Sequence, residues 1–347
     1  MKRFLSRVLP LLLSFSLILN CTGCSTVLVL AGKARENSEV SSSVISESSA
    51  SSGVISTPVP TEDGDLRAFY TDVANAESVT VMVYMIGSDL ESEDGSATDD
   101  LLEMADAALS ENVHLVLQTG GTETWWNDVC TDDESERFVI ENGDMTLLQS
   151  LGSMNMTDAD TLSDFIRFSA ESYPADRYEL ILWDHGGGTM TGFGYDELYE
   201  DTSLTLSSLS TALYNGGVQF DFIGFDACLM ATAEVAYALD PYADYLIASE
   251  ESEPGEGWAY KNWLTMLAED PAVPTAELGK KLADDFLEAY IFADMPTLSV
   301  LDLRYVPELY AALESYWGSA YTALQNGSYG AFSQARSHVR EFGDNEY

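Results

Sequence analysis

Histidine, cysteine and above all basic residues are scarce in this sequence. Three histidines and four cysteines occur in 347 residues, and 15 Lys and Arg stand against 58 Asp and Glu, a formal net charge of −43. So acidic a surface repels nucleic acid and anionic lipid, and attracts cationic ligands and basic peptides over long range. Three scattered histidines and no cysteine pair at ligand spacing beyond the N-terminal Cys21 and Cys24 leave nothing for a zinc centre in the body of the chain. Cys21 and Cys24 lie near the N-terminus, so Cys130 and Cys228 alone remain in the body of the chain. That excludes the even cysteine framework of a small disulfide-stapled secreted domain. No G-x-S-x-G string occurs either, so a serine hydrolase of the lipase type lacks its nucleophile elbow.

The first residues form a targeting segment. Lys2, Arg3 and Arg7 make a positive region, and Leu9 to Leu19 an apolar stretch too short to span a membrane as a mature helix. Cys21-Thr22-Gly23-Cys24-Ser25 resembles a bacterial lipobox, with Cys24 as the lipid-bearing residue, although Cys21 stands where Leu is usual. Residues 1–23 are therefore expected to be a lipoprotein-type signal peptide. Residues 24–65 are rich in Ser and carry no periodic apolar pattern beyond the leader, which predicts a flexible stalk. The chain is expected to be exported and held at the bacterial cell surface, with the lipid as its one link to the membrane; the alternative is plain secretion with cleavage nearby.

From about residue 66 the pattern alternates. Apolar runs at 79–86, 113–117, 178–183, 220–225, 245–248 and 298–303 read as strands, and Asn142-Gly143 as the turn of a hairpin over 137–149. Helical spacing of apolar residues appears from Leu101, Leu162, Leu204, Leu278 and Val306, and Leu229-Met230-Ala231 reads as a further helix start. Near-continuous apolar strands separated by helices predict an α/β fold with a mainly parallel sheet covered on both faces.

Two of the scarce residues fall where such strands run out. His185 follows Leu180-Ile181-Leu182-Trp183 and precedes Gly186-Gly187-Gly188, and Cys228 follows Phe222-Ile223-Gly224-Phe225-Asp226-Ala227. Ligands and chemistry gather outside the carboxyl ends of parallel strands. A thiol and an imidazole delivered there by neighbouring strands can act as nucleophile and base, and the glycines let backbone N–H groups approach a reacting atom. This predicts a cysteine hydrolase. His114 and His338 carry no such context and read as structural.

The phrases Leu182-Trp183-Asp184-His185-Gly186 and Gly224-Phe225-Asp226-Ala227-Cys228-Leu229-Met230 resemble those of the clostripain family of cysteine peptidases. So do Val81-Met82-Val83-Tyr84-Met85-Ile86-Gly87-Ser88-Asp89-Leu90-Glu91 and Ser249-Glu250-Glu251-Ser252-Glu253-Pro254-Gly255-Glu256-Gly257-Trp258. The resemblance implies a caspase-like α/β/α sandwich over 66–347, cut short at its C-terminus relative to the family. It implies a dyad, with Cys228 as nucleophile, His185 as base and no third residue needed to orient the imidazole. The amides of Gly186 and Cys228 would form the oxyanion hole. Asp184 should point away from the imidazole, since neighbours on a strand alternate. The family cleaves after Arg or Lys, which makes Asp226 the pocket acid, with Glu256 and Trp258 beside it. Any one of Glu250, Glu251, Glu253 or Glu256 is a candidate second acid. The plainer reading of Asp226 is an acceptor for loop amides.

Many members mature by self-cleavage after a base between His and Cys, but Arg177 and Lys261 are consecutive bases here, so none is expected. Self-cleavage after Lys33 or Arg35 would release the domain from its anchor. Some relatives respond to calcium. The run Asp89, Glu91, Glu93, Asp94, Asp99, Asp100 misses the EF-hand register and reads as a solvated acidic face, leaving calcium optional and no cofactor required. The alternative to an endopeptidase is an idle surface protein that binds basic peptides.

Overall fold

Val79–Ile86, the first strand β1, is buried along all eight residues, as a strand covered on both faces must be. The computed structural model describes residues 66–199, 202–290, 296–339 and 342–343. The expected signal peptide, the stalk and Cys24 lie outside them. After β1 come α1 (Ser88–Ser92), α2 (Ser96–Ala105), β2 (Val113–Gly120), β3 (Ser135–Glu141), β4 (Asp144–Gly152), α3 (Ala159–Ser172) and β5 (Arg177–Trp183). Then follow α4 (Gly188–Thr191), α5 (Leu206–Gly216), β6 (Phe220–Asp226), α6 (Ala233–Leu239) and β7 (Ala243–Ala248). The described chain closes with α7 (Tyr260–Glu269), α8 (Thr275–Ala289), β8 (Ser299–Asp302), α9 (Val306–Gln325) and α10 (Tyr329–Arg336).

One sheet of order β4-β3-β2-β1-β5-β6-β7-β8 runs through the molecule. Its inner strands β2, β1, β5, β6 and β7 are parallel, while β3, β4 and β8 join antiparallel at the two sides. Side chains on a strand alternate between faces, and the two cores follow that alternation. Val81, Val83, Met85, Ile181 and Trp183 pack with α2, α7 and α8. Met82, Tyr84, Leu180, Leu182, Ile223 and Phe225 pack with α3, α5 and α6. The α/β/α sandwich with a mainly parallel centre is as expected. So is the hairpin: Asn142 and Gly143 both take positive φ, 52° and 83°, as a two-residue primed turn requires.

Three local expectations need correction. No helix starts at Leu229, because the chain turns left-handed there, with φ 64°. Instead α6 begins at Ala233, its N-terminus capped by the Thr232 hydroxyl accepting from the Val235 N–H at 3.1 Å. Leu109 lies beyond α2, and α7 was not anticipated. Among the described residues no helix is long and apolar enough to cross a membrane. At the amino ends of β5 and β6 the buried Arg177 pairs with Asp221 at 2.7 Å, tying these strands together at the end away from His185 and Cys228.

Candidate active site

The pairing of β5 with β6 sets the geometry. Trp183 lies opposite Asp226, and the Asp184 N–H continues the ladder to the Asp226 carbonyl at 3.2 Å. Two residues further, that register brings His185 level with Cys228. The loops stay close beyond the strands: a Cβ on Gly186 would fall 2.1 Å from the Cys228 carbonyl oxygen, so only glycine fits. Among the described residues neither the Gly186 nor the Cys228 amide donates to a backbone carbonyl, and the Cys228 amide faces its own sulfur. Leu229 then turns the chain away from the thiol in a left-handed conformation that β-carbon-bearing residues seldom adopt. Its N–H is held by the Glu251 carbonyl at 3.1 Å.

His185 is not left unsupported. Its Nε2 lies 2.7 Å from Oδ1 of Asp89 on α1, directly after β1, the other neighbour of β5. Both side chains are about half exposed. The structure thus gives the imidazole a carboxylate neighbour that the expected dyad does not include. The signal was present: Asp89 also stands just past the carboxyl end of an apolar strand. Asp184 points elsewhere, as anticipated. It is buried, accepts the Tyr195 N–H, and leaves Oδ1 without a partner among the described residues.

Burial pushes the Asp184 carboxyl up to about 7. A raised folded-state value means that the native protein holds this proton more tightly than the unfolded chain does. The stability it contributes is complete below an ordinary carboxyl value of about 3.9, and is lost as pH rises through about 7. Asp184→Asn keeps the acceptor for Tyr195 and is expected to flatten the decline of the thermal midpoint over that window. A decline as steep as that of the parent protein would show that Asp184 is not its source.

The Cys228 sulfur is half-buried beside Glu253, accepting the Glu253 N–H at 3.2 Å with the Glu253 carbonyl at 3.8 Å. Burial raises the thiol above its ordinary value. Cys130 is buried elsewhere, pushed up to about 12, and both cysteines are free. A cavity of about 260 Å³ opens at Cys228, lined among others by His185, Trp183, Leu90, Asp226 and Glu253.

Its acids are enclosed. Asp226 Oδ2 accepts the Trp258 N–H at 3.0 Å and the Tyr260 hydroxyl at 2.7 Å, so the plainer reading of Asp226 as a loop acceptor holds for that oxygen. Burial, offset in part by these bonds, pushes the carboxyl up to about 6. Both oxygens of Glu253 are sealed from solvent, beside the Asp226 carboxyl and the Trp258 indole. Burial, then the Asp226 charge, hold this group well above the usual carboxylate range. Behind the wall, Asp100 Oδ2 accepts the Trp183 indole N–H at 2.6 Å, and burial raises it too.

Two pocket expectations are corrected. Glu256 is exposed and, with Trp258, lines a neighbouring hollow of about 250 Å³ rather than the cavity at Cys228. The reason is Gly257, which takes φ +63° and turns the chain between them. Of the four candidate glutamates, Glu253 is the one that lines the cavity with Asp226. Nor is the run from Asp89 to Asp100 simply a solvated face. Glu91 is buried, accepting from the Thr98 N–H and hydroxyl and the Trp126 N–H, while Asp89 and Asp100 serve His185 and Trp183. Among the described residues no cluster of His, Cys, Asp and Glu is arranged to hold a metal ion.

The same constellation has counterparts. The clostripain family model, peptidase C11, matches residues 83–341. The chain is 35% identical over 123 residues to clostripain of Hathewaya histolytica, a stretch that is 30% of this chain and 23% of that relative. It thus spans less than a quarter of the curated relative that it matches. A secreted C11 cysteine protease from Bacteroides thetaiotaomicron, solved with an irreversible peptide inhibitor, shares the fold. Its TM-score is 0.56 at 23% identity, over 67% of this chain and 68% of that one. An inactive zymogen C11 protease from Parabacteroides distasonis gives a TM-score of 0.52 at 27% identity, over 67% and 64%. The sandwich is the caspase-like one that the sequence phrases implied. With a family model that covers well over half of the sequence and a matching fold, this chain belongs to the clostripain family.

Proposed function

We propose that this chain is an exported cysteine endopeptidase that cleaves peptide bonds after Arg, and less readily after Lys. One observation carries the specificity: Asp226 and Glu253 line the cavity at Cys228, and no Lys or Arg among the described residues pairs with either. Unpaired carboxyls enclosed in a cavity favour a cationic occupant, and a guanidinium, with five donors in a planar fork, satisfies more of their oxygens than an ammonium does. The excess of acid over base adds long-range attraction for basic substrates, which salt weakens.

In this reading the substrate's Arg side chain enters the cavity and its scissile carbonyl comes to lie over Sγ of Cys228. Asp89 accepts the proton of His185 Nε2, which leaves the Nδ1 lone pair to take the thiol proton. Attack by sulfur places negative charge on the carbonyl oxygen, and the Gly186 and Cys228 amides supply donors for it. The imidazolium returns its proton to the leaving amine. Water then cleaves the thioester by the reverse proton path. The proposed chemistry needs no cofactor. The leader of the sequence supports export, and Gly23-Cys24 supports a lipid anchor at Cys24.

Asp89 acts through His185, so its loss should appear in turnover. Asp89→Ala is expected to lower kcat by about 10- to 100-fold with little change in KM, because general-base catalysis depends on a positioned imidazole. A change confined to KM would instead place Asp89 among substrate contacts. The reading as a whole is tested with fluorogenic peptides carrying Arg, Lys, Asp or Leu before the scissile bond. Rapid cleavage after Arg, slower after Lys and none after Asp or Leu is expected. Failure to cleave any of them, with or without calcium, would favour an idle protein that binds basic peptides.

A further inference from the structure

We infer that Glu253 is a specificity-determining residue that works by proton exchange: it carries a proton in the empty cavity and releases it to solvent when a guanidinium takes its place beside Asp226. The inference rests on the proposed specificity for Arg. It starts from enclosure. Both carboxyl oxygens of Glu253 are out of reach of solvent, and the polar groups beside them are the Asp226 carboxyl and the Trp258 indole, with no Lys or Arg among the described residues paired to either acid. A buried carboxylate that faces a second carboxyl without a counter-ion is far costlier than the neutral acid, which can share its proton with that neighbour, so the empty cavity selects the protonated form.

The surroundings reinforce this from every side. From α2 come Asp100 and Glu103, from β6 Asp226, and from the loop after it Cys228; α7 and α8 contribute the hydroxyls of Tyr260 and Tyr290. His185 alone adds positive charge, when protonated, and its Nε2 is already engaged by Asp89. Burial and the Asp226 charge hold Glu253 well above the usual carboxylate range. A guanidinium reverses that balance by supplying the missing positive charge. The O–H bond of Glu253 breaks, its proton leaves to water, and the carboxylate formed pairs with the cation. The same residue holds the nucleophile through its main chain, its N–H donating to Sγ at 3.2 Å. A side-chain substitution leaves that amide in place, so binding and turnover separate.

The test is the inhibition constant of methylguanidine against cleavage of an Arg peptide by the full chain, followed from about pH 5 to about 9. Where Glu253 titrates, the constant is expected to fall by about tenfold per pH unit as pH rises, one proton being released for each cation bound, and then to level off. In Glu253→Gln, a neutral mimic of the protonated acid, inhibition should be weaker at high pH and this dependence should vanish, with kcat changing less than KM. Competitive inhibition with a constant that stays flat in the parent protein overturns proton exchange while leaving the Arg specificity standing. Should Glu253→Gln fail to fold, Glu253→Met, neutral and of similar length, takes its place, because Asp226, at about 6, titrates within the same range. Absence of both methylguanidine inhibition and Arg cleavage would remove the specificity itself, and the exchange with it.

Discussion

Alanine at position 228 is expected to remove peptidase activity, lowering kcat by roughly four orders of magnitude or more against an Arg peptide. Among the described residues no other thiol lines the cavity. Cys130 is buried away from the cavity, with a thiol pushed up to about 12, so it supplies no thiolate at neutral pH. The half-buried Cys228 sulfur meets little but the Glu253 main chain, and the replacement should leave the melting temperature almost unchanged. Mass spectrometry after iodoacetamide treatment offers an independent check: of Cys130 and Cys228, label should appear on Cys228 and be lost in the variant. Residual cleavage within tenfold of the parent would mean that the nucleophile lies elsewhere.

Asp226→Asn is expected to lower kcat/KM for Arg peptides by about 100- to 1,000-fold, the scale of losing one partner of a buried charge pair. The substitution isolates charge from shape. An asparagine oxygen still accepts from the Trp258 N–H and the Tyr260 hydroxyl, so the loop from 254 to 260 keeps its anchor. Alanine would leave both donors unpaired and confuse folding with recognition. The comparison is made on kcat/KM for Arg, Lys and Leu peptides with the same enzyme preparation. An Arg preference that survives Asp226→Asn would transfer the main role to Glu253 or to Asp100 behind the wall.

The strands that carry this site were legible because their apolar runs are long and uninterrupted. For β1, β5 and β6 the pattern alone located His185 and Cys228 within two residues of a strand end. Less was visible where the chain leaves the sheet. Leu229 to Ala231 has the composition of a helix start, but the turn after Cys228 forces Leu229 to positive φ, and propensity yields to that constraint. Helix α7 was legible in principle, since its buried residues Tyr260, Trp263, Leu264 and Leu267 fall at helical spacing, although no side chain caps it at Ala259. The acids between 250 and 256 were recognised as a group, yet which one faces the cavity depends on a single left-handed glycine, Gly257. Asp89 stands just past the carboxyl end of β1, as His185 and Cys228 do past β5 and β6, so the same strand-end rule reaches it. Asp100 lies far from Asp226 along the chain, and nothing in one sequence brings the two together.

Gly224 sits in the middle of β6 and takes part in no chemistry, but the Trp258 indole lies against it, so that a Cβ there would come within 2.7 Å of the ring. The Trp258 amide, together with the Tyr260 hydroxyl, holds Asp226. One added methyl on the strand would therefore lever the indole outward and swing its amide off the pocket acid. Under the proposed specificity, substrate preference would thus be heritable through a residue without a functional group, and a paired change, alanine at 224 with a smaller ring at 258, offers a route to retuning it with every charge left in place.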